Sequence, residues 1–506
     1  MKMLDALIIA PCDQKQIYQG LSSSLTAIEP PVWARLIGSY LRGLRYSVDI
    51  LDAEADGLNF TGVADMAQYL KPRLIILSVH GQQPSASTQL MPAAIVTCRA
   101  IKSVTPDIPI LVTGGHPAAL PERTLEETGA DFVCTGEGPV TASAVLRLAI
   151  NPLHWRSNLP DVPGICYSGG VTTHYYATTQ PALNVINLDA EMPGGCWDLL
   201  PMDRYRAHNH HCLDGSPREP YASIYTSLNC PFACSFCMIA SPFRAGDKLR
   251  SGGKPVNFYR TWSGETVIRE IEMLVEKYGV TTIRVNDEMF VLNQEHVFDI
   301  CDRIIERYED KLNLWCYGRV DCTHEKFLDK MRRAGFKWIC LGIEAASSDV
   351  RDGVEKAGYG AEDIIETCKR IKDHDINILG NFMVGLPSDT RESMRQTLDL
   401  AIEVMPEFFN IYPMMIYPGS ALWDALPEEK RSYDWRAYSH HSYDSTPAGN
   451  ENLTPAEVLA FRDMAFIEFF TNQSYLDYVG KRFGETAVER IKAMTTVRLK
   501  RKILGE

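Results

Sequence analysis

The sequence predicts an α/β protein made of two successive parallel sheets and a mostly helical carboxyl-terminal domain. Short apolar runs alternate with amphipathic stretches five times within residues 1–150, and the alternation returns six times within residues 220–420. Residues 151–219, rich in Pro, Gly, Asn and His, lack this pattern and predict a linker. Residues 421–506 show helical and aromatic patterns, which predict a mostly helical carboxyl-terminal domain.

Length and composition restrict the class of protein. A chain of 506 residues exceeds what one hydrophobic core usually organises. The first eleven residues lack the basic start and cleavage site of a signal peptide, and no apolar run reaches the roughly 18 residues of a membrane helix. Fourteen scattered cysteines fit a reducing cytoplasm, and the net charge of -13 argues against binding nucleic acid. We therefore expect a cytoplasmic protein without a membrane span.

The first strand set predicts a doubly wound, Rossmann-like domain. Helices on both faces of a parallel sheet leave the carboxyl ends of its strands free to bind ligands. The predicted strands are Leu4–Ala10, Ser47–Asp52, Leu74–Val79, Ile108–Gly114 and Asp131–Gly136.

Glycine-rich turns follow the last two of these strands. Gly114–Pro117 and Gly136–Pro139 allow close backbone approach and direct helix amino termini toward an anionic or amide-rich ligand. Ser78–His80 lies at the end of the third strand. Short glycine pairs are also common turn chemistry, so these turns alone leave a purely structural role open.

A second motif follows the first strand of the second set, Tyr221–Thr226. Cys230, Cys234 and Cys237 have the spacing C-x3-C-x2-C. A structural zinc site is normally closed by a fourth local ligand, whereas three cysteines suit a four-iron cluster with one open iron. Chance clustering among fourteen cysteines is the alternative.

The cysteine loop, with Phe236 before its last cysteine, resembles that of radical S-adenosylmethionine (radical SAM) enzymes. The first domain and its turns resemble the cobalamin-binding domain of one large subfamily, which includes class B methyltransferases. The resemblance covers residues 1–420 and implies a partial (β/α)6 barrel, a [4Fe-4S] cluster on the three cysteines, S-adenosylmethionine and cobalamin. It also implies that residues 421–506 close the barrel mouth and contact substrate, with a domain-packing surface as the alternative. The residues that it implies for cobalamin are Ser78, His80, Gly114, Gly115, Gly136, Glu137 and Gly138.

One feature of cobalamin proteins is missing. The D-x-H-x-x-G motif that supplies a lower cobalt ligand has no counterpart in residues 10–20, where Asp13 is followed by Gln14 and Lys15. The lower ligand is therefore absent or comes from elsewhere, and His80 and Gln82, on the loop after the third strand, are candidates for facing the corrin. For His80, a buried structural histidine is the favoured alternative.

The second strand set supplies the residues implied for S-adenosylmethionine. Asp287 and Glu288 follow the second strand, Arg319 the third and Glu344 the fourth, and Phe236 lies in the cysteine loop. For the acids after the second strand, a solvated loop is the alternative. The predicted strands are Tyr221–Thr226, Thr282–Asn286, Leu314–Arg319, Trp338–Glu344, Ile376–Val384 and Phe408–Ile416.

The resemblance implies a cobalamin-dependent radical SAM enzyme that uses a 5′-deoxyadenosyl radical and methylcobalamin to methylate a carbon of a small metabolite or natural-product intermediate. One alternative is an oxidative cyclisation, ring contraction or rearrangement without methyl transfer. Another is a non-catalytic cobalamin or iron-sulfur sensor or electron carrier. The expected partners are a small-molecule substrate and an electron donor such as flavodoxin or ferredoxin, and no catalytic residue is assigned.

Overall fold

The computed structural model describes residues 3–23, 26–82, 84–150, 158–169, 175–356 and 358–506. Parts of the predicted linker, residues 151–157 and 170–174, lie outside these ranges. Among the described residues, no helix has the length and apolar character that crossing a membrane requires.

The amino-terminal sheet has seven strands in the order β2-β1-β3-β4-β5-β6-β7, and its first five strands are parallel. Apolar residues on alternate faces of β1 enter different cores, which places helices on both sides of the sheet and confirms the doubly wound fold. The elements are β1 (Ala6–Ala10), α1 (Gln14–Tyr18), α2 (Val32–Gly43), β2 (Val48–Asp52), α3 (Phe60–Leu70), β3 (Leu74–Val79), α4 (Met91–Val104), β4 (Ile110–Gly114), α5 (Gly115–Ala119), α6 (Pro121–Thr128), β5 (Phe132–Cys134), α7 (Pro139–Ile150), β6 (Ile165–Ser168), β7 (Tyr176–Thr178) and α8 (Leu188–Glu191).

Strands β6 and β7 lie in the segment predicted to be a linker. They pair antiparallel with β5 and with each other, so this part of the chain extends the amino-terminal sheet. Both strands are short, and their outer residues are partly exposed. Since they lack the continuous apolar run of a buried strand, the pattern used for the first five strands could not find them.

The second sheet has six strands, all parallel, in the order β15-β14-β13-β12-β11-β8. This open sheet confirms the expected partial barrel. Its elements are β8 (Tyr221–Ile224), β9 (Ser227–Leu228), α9 (Ser241–Arg250), β10 (Arg260–Thr261), α10 (Gly264–Tyr278), β11 (Thr282–Val285), α11 (Gln294–Tyr308), β12 (Asn313–Arg319), α12 (Glu325–Arg333), β13 (Phe336–Glu344), α13 (Ser348–Asp352), α14 (Ala361–Asp373), β14 (Asn377–Val384), α15 (Arg391–Val404) and β15 (Phe408–Pro413).

The carboxyl-terminal segment packs on the barrel edge. Helix α17 (Pro455–Phe470) lies against β15 and α15, and its amino terminus is closed by a reciprocal capping box between Thr454 and Glu457. The Arg462 guanidinium donates from Nε to the Ile411 carbonyl at 3.0 Å, which ties α17 to β15. The remaining helices are α16 (Ala421–Ala425), α18 (Gln473–Phe483) and α19 (Glu485–Thr495).

Buried ion pairs fix the amino-terminal domain against the barrel. In each pair, a residue of the first sheet domain meets a residue of the second, and all six side chains are at least nine-tenths buried. Such pairs require well-matched geometry, because each charge has lost its water. The pairs are Glu29 with Arg284 at 2.7 Å, Glu137 with Arg260 at 2.9 Å, and Arg35 with Glu270.

Candidate active site

The cysteine loop begins with a backbone reversal at Asn229. This residue has φ of 71°, a left-handed conformation that asparagine tolerates better than most residues. Its Oδ1 accepts a hydrogen bond from the Cys230 amide at 2.8 Å, and its Nδ2 donates to Asp247 at 2.8 Å. Further along, the Cys237 amide donates to the Cys234 carbonyl at 3.0 Å. These bonds hold the loop in a tight turn at the carboxyl end of the first barrel strand.

The three thiols converge at this turn. Burial raises the pKa of Cys230 and of Cys237 to about 12, and the charges of neighbouring cysteines contribute to both shifts. Arg319 donates from Nη1 to the Cys234 sulfur at 3.3 Å. Metal binding would replace the thiol protons, and the guanidinium would balance part of the resulting negative charge. In the described ranges, no three His, Cys, Asp or Glu side chains lie close enough together to hold a metal ion. Three cysteines on one turn are the donor set that suits a [4Fe-4S] cluster with one open iron.

Asp287 supports the strand that precedes the cysteine loop. Its carboxylate accepts hydrogen bonds from the Thr226 amide and the Ser227 hydroxyl, both at 2.6 Å, and from the Thr226 hydroxyl. Burial raises the pKa of Asp287 to about 6, although these bonds oppose the shift. The sequence predicted a contact with S-adenosylmethionine, and the structure gives this carboxylate three partners within the protein.

Glu288, the next residue, faces the cysteines. Burial raises its pKa to about 8, and the neighbouring Asp287 adds to the shift. Its Oε2 is buried and makes no hydrogen bond of good geometry among the described residues, although the nearby Tyr225 hydroxyl opposes the rise in pKa. The Glu288 charge also contributes to the raised pKa of Cys230 and Cys237. An orphaned carboxyl oxygen beside the thiols is a suitable acceptor for the amino group of a bound ligand.

Arg319 is held in place by a bidentate pair with Asp321, in which both distances are 2.9 Å. Its guanidinium lies 3.9 Å from the centre of the Phe232 ring. Although burial opposes the shift, Arg319 lowers the pKa of Asp321. Arg319 thus reaches the cysteine loop through both a sulfur and an aromatic ring.

Glu344 forms a buried ion pair with Lys356, a residue that the sequence reasoning missed. The Glu344 backbone is left-handed, with φ of 65°. A Cβ on Gly342 would lie 2.8 Å from the Lys356 Nζ, so a side chain there would displace the Lys356 ammonium. Phe236 packs with the apolar cluster that includes Ala345. No local sequence signal could have found Lys356, because it lies twelve residues after its partner.

A cavity joins the two domains. Its walls come from the carboxyl ends of β1, β2 and β3, from the start of α2, and from Asn286 directly after β11. Four amide side chains line it, and the Gln14 Oε1 is buried there without a hydrogen-bond partner in the described part of the chain. This supply of amides suits a ligand that itself carries amides, as cobalamin does. The lining residues include Cys12, Gln14, Glu29, Trp33, Asp52, Glu54, Ser78, His80, Gln82, Gln89 and Asn286.

His80 and Ser78 face this cavity together. The Ser78 Oγ and His80 Nδ1 are 2.9 Å apart, and the imidazole stacks on Trp33 with ring centres 5.1 Å apart. Burial lowers the pKa of His80 to about 3, so the ring is neutral at physiological pH. A neutral imidazole keeps a lone pair on one nitrogen.

The predicted glycine turns follow β4 and β5. Gly114 has φ of 146°, and a Cβ there would lie 2.2 Å from the Val79 carbonyl oxygen. Gly115 is the first residue of α5 and is buried. A Cβ on Gly136 would lie 3.8 Å from the Pro242 carbonyl oxygen, and one on Gly138 would lie 3.4 Å from Ile37. Packing therefore requires glycine at Gly114, whereas a Cβ at Gly136 or Gly138 would make an ordinary van der Waals contact.

Glu137 lies in the interface between the domains. One of its carboxylate oxygens accepts a hydrogen bond from the Val185 amide at 2.7 Å, and the other pairs with Arg260 at 2.9 Å. The sequence predicted a cobalamin contact from the turn that contains it. The structure gives both oxygens partners within the protein, because the interface buries this turn against β10.

Several cavity residues escaped the sequence reasoning. Cys12 follows β1, and Asp52 and Glu54 end or follow β2, so the rule that ligands bind at carboxyl ends of strands could have found them. Burial raises the pKa of Glu54 to about 8 and that of Asp52 to about 6. Glu29 gave no such signal, since it lies in an irregular segment before α2.

Two protein families match the chain in consecutive segments. The B12 binding domain matches residues 18–146, and the radical SAM superfamily matches residues 224–401. The chain is a cobalamin-dependent radical SAM enzyme. The first match covers the sheet domain that lines the cavity, and the second covers the cysteine loop and most of the barrel. Its cofactors are therefore the [4Fe-4S] cluster, S-adenosylmethionine and cobalamin, and we do not retain the sensor alternative.

Curated relatives of this radical SAM enzyme extend over most of its length. An uncharacterized methyltransferase of Pyrococcus horikoshii is 26% identical over 445 residues, which are 87% of each chain. An anaerobic magnesium-protoporphyrin IX monomethyl ester cyclase of Rubrivivax gelatinosus is 26% identical over 462 residues, 89% of this chain and 75% of the cyclase.

Solved structures share its fold. The radical S-adenosylmethionine methyltransferase TsrM from Kitasatospora setae superposes with a TM-score of 0.66 at 16% identity, covering 97% of this chain and 98% of TsrM. The cobalamin-dependent S-adenosylmethionine radical enzyme OxsB superposes with a TM-score of 0.67 at 15% identity, covering 97% of this chain and 72% of OxsB. These likenesses establish the common arrangement of domains.

Proposed function

We propose that this radical SAM enzyme transfers a methyl group to a carbon of a small metabolite or natural-product intermediate. One observation carries the proposal: a single cavity is lined by the B12 binding domain and by Asn286 of the barrel. Asn286 is followed directly by Asp287 and by Glu288, which faces the cysteines. The ligands of the two domains would thus meet at one place.

The candidate residues fall into two groups, one at the site for the cluster and S-adenosylmethionine and the other at the site for cobalamin. When bound, the cluster and S-adenosylmethionine supply radical chemistry, and cobalamin supplies a methyl carrier. We assign Cys230, Cys234 and Cys237 to the cluster. Glu288 offers its orphaned oxygen to the amino group of S-adenosylmethionine. Arg319 offsets negative charge at the Cys234 sulfur.

On the cobalamin side, the neutral His80 imidazole and the amides of the cavity would contact the cofactor. The Ser78 hydroxyl orients the His80 ring through its 2.9 Å contact. Gly114, Gly115, Gly136 and Gly138 would act by shaping the surrounding turns.

Aromatic and histidine side chains of the carboxyl-terminal segment meet the last barrel strand. His440 lies 2.9 Å from the Tyr417 hydroxyl, and its ring centre is 5.1 Å from that of Tyr412 in β15. His441 packs against Tyr18 of the amino-terminal domain, with ring centres 5.6 Å apart. We assign this segment to closing the site and excluding water from it.

Relatives support a methyl transfer and also a second candidate. The Pyrococcus relative and two hopanoid methylases are named for adding methyl groups. The Rubrivivax relative is named a cyclase, which favours an oxidative cyclisation without methyl transfer as the second candidate.

Labelling of the methyl group of S-adenosylmethionine tests the proposal. The reconstituted, reduced enzyme is incubated anaerobically with trideuteromethyl S-adenosylmethionine and a small-molecule extract of the source cells, and products are compared by mass spectrometry. A product that carries the intact label on carbon supports methyl transfer. A new product without label would instead establish the cyclisation or rearrangement. The Cys234→Ala variant is the matched control and should give neither product.

A further inference from the structure

An exposed basic surface lies beside the cysteine loop. It comprises Lys248 and Arg250 at the end of α9 and Lys254 in the loop that follows, all exposed. Two apolar side chains lie among them, Leu249 at 48% exposure and Val256 at 41% exposure. The whole chain carries a net charge of -13, so this concentration of positive charge is unlike the average surface.

These charges are not neutralised locally. Arg244, one helical turn earlier, pairs with Asp424 at 3.7 Å, but Lys248, Arg250 and Lys254 have no ion pair among the described residues. The only acid in residues 241–259 is Asp247, which is buried. Attraction to the carboxyl end of a helix accounts for basic residues in the last turn of α9, but Lys254 lies beyond the helix.

Hydrogen bonds connect the basic surface to the cysteine loop. Asp247 Oδ2 accepts hydrogen bonds from the Asn229 side chain at 2.8 Å and from the Phe258 amide at 3.0 Å. Asn229 in turn holds the Cys230 amide at 2.8 Å. One carboxylate therefore fixes both ends of the exposed loop against the residue that precedes the first cysteine. A protein bound to this surface would lie next to the cluster.

We infer that the basic surface docks an acidic one-electron donor protein that reduces the cluster. The inference rests on the proposed function, because that chemistry requires an external electron. The donor is oxidised by one electron and the cluster is reduced by one, with no bond formed or broken. Three exposed cations that form no ion pair with a described residue, together with two exposed apolar side chains in the same segment, suit a transient complex with a negatively charged partner, in which charge accelerates the encounter.

A charge reversal separates docking from cluster chemistry. The triple variant K248E/R250E/K254E is compared with K369E/K481E/K492E, which makes the same change in net charge on exposed lysines of α14, α18 and α19. Cluster reduction is followed by visible absorbance, with reduced flavodoxin as the acidic donor and with dithionite as a small reductant. We expect the flavodoxin rate of the first variant to fall by about tenfold or more, while its dithionite rate is unchanged. The control variant should keep both rates.

Other outcomes overturn the inference. An unchanged flavodoxin rate, or an equal loss in the two triple variants, would show that this surface does not dock the donor. A change from dimer to monomer in the first variant, with an unchanged donor rate, would make the surface a contact between two copies. If the first variant loses cluster iron, the wild-type enzyme provides the test instead. Docking through charge requires the rate of its reduction by flavodoxin to fall steeply as salt is added, and a rate that does not depend on salt would overturn the inference. Label transfer driven by dithionite tests the proposed function separately.

Discussion

The Glu29→Gln substitution should destabilise the protein, because it leaves a buried cation without its counter-charge. Arg284 donates from Nη1 to both Glu29 oxygens at 2.7 Å, and Ser223 donates to the same carboxylate at 2.8 Å. The two charged side chains are 3% and 2% exposed. Although burial alone would raise it, the pKa of Glu29 is lowered from 4.5 to about 2 by Arg284 and by hydrogen bonds from His208 and Ser223.

The lowered pKa of Glu29 gives the expected loss of stability in the Glu29→Gln variant. A lowering from 4.5 to about 2 corresponds to about 3 kcal/mol, at about 1.4 kcal/mol for each pH unit. Loss of one partner of a buried pair costs a similar amount, about 3–5 kcal/mol. Asp198→Asn is the matched control, because the Arg42–Asp198 pair also joins two segments but is 35% and 49% exposed. The Asp198→Asn substitution should lower the free energy of unfolding by less than about 1 kcal/mol.

Urea unfolding of the wild type and both variants, followed at several pH values, measures these differences. Since the folded-state pKa of Glu29 is depressed, its stabilisation is fully present above pH 4.5 and is lost as the pH falls toward about 2. The difference in the free energy of unfolding between the wild type and Glu29→Gln should therefore become smaller as the pH falls. Equal stability at neutral pH, or a gap that widens in acid, would refute this account of the pair.

Three further predictions concern the cofactor sites. Cys230→Ala should lose most cluster iron and all 5′-deoxyadenosine production, and an intact cluster measured by iron and sulfide content would show that another ligand is used. Gly114→Ala should reduce cobalamin retention and soluble yield, because its Cβ would lie 2.2 Å from a carbonyl oxygen of β3; unchanged corrin content in absorbance spectra would contradict this. The raised pKa of Glu54, about 8, means that stability falls as the pH rises from 4.5 through about 8. Glu54→Gln should flatten this dependence in urea titrations between about pH 5 and about pH 8, and an unchanged slope would show that other groups cause it.

The sequence predicted the strands of both main sheets well, because buried parallel strands are continuous apolar runs. The fourth barrel strand was predicted at Trp338–Glu344 and observed at Phe336–Glu344. Strand β6 was missed because its outer residues are partly exposed and the strand is only four residues long. A pattern of local hydrophobicity reports a strand that is buried on both faces, and a short, partly exposed strand such as β6 gives little of that pattern.

The sequence predicted those parts of the candidate site whose residues are close together along the chain. The spacing of three cysteines is local, so the cysteine loop was found from the sequence alone. The partners of charged residues were not predictable, since Glu29 and Arg284 are 255 residues apart. Glu137 illustrates the same limit: its glycine-rich turn resembled a ligand loop, and its partner Arg260 comes from the other domain.

The three buried pairs between the domains also bear on how the chain unfolds. Separating the B12 binding domain from the barrel would leave six charged side chains without partners, including Arg35 and Glu270. Each of these charged side chains would have to be hydrated again for a separated domain to remain folded. The two domains are therefore expected to unfold as one cooperative unit, so a substitution in either one lowers the stability of the cavity that both of them line.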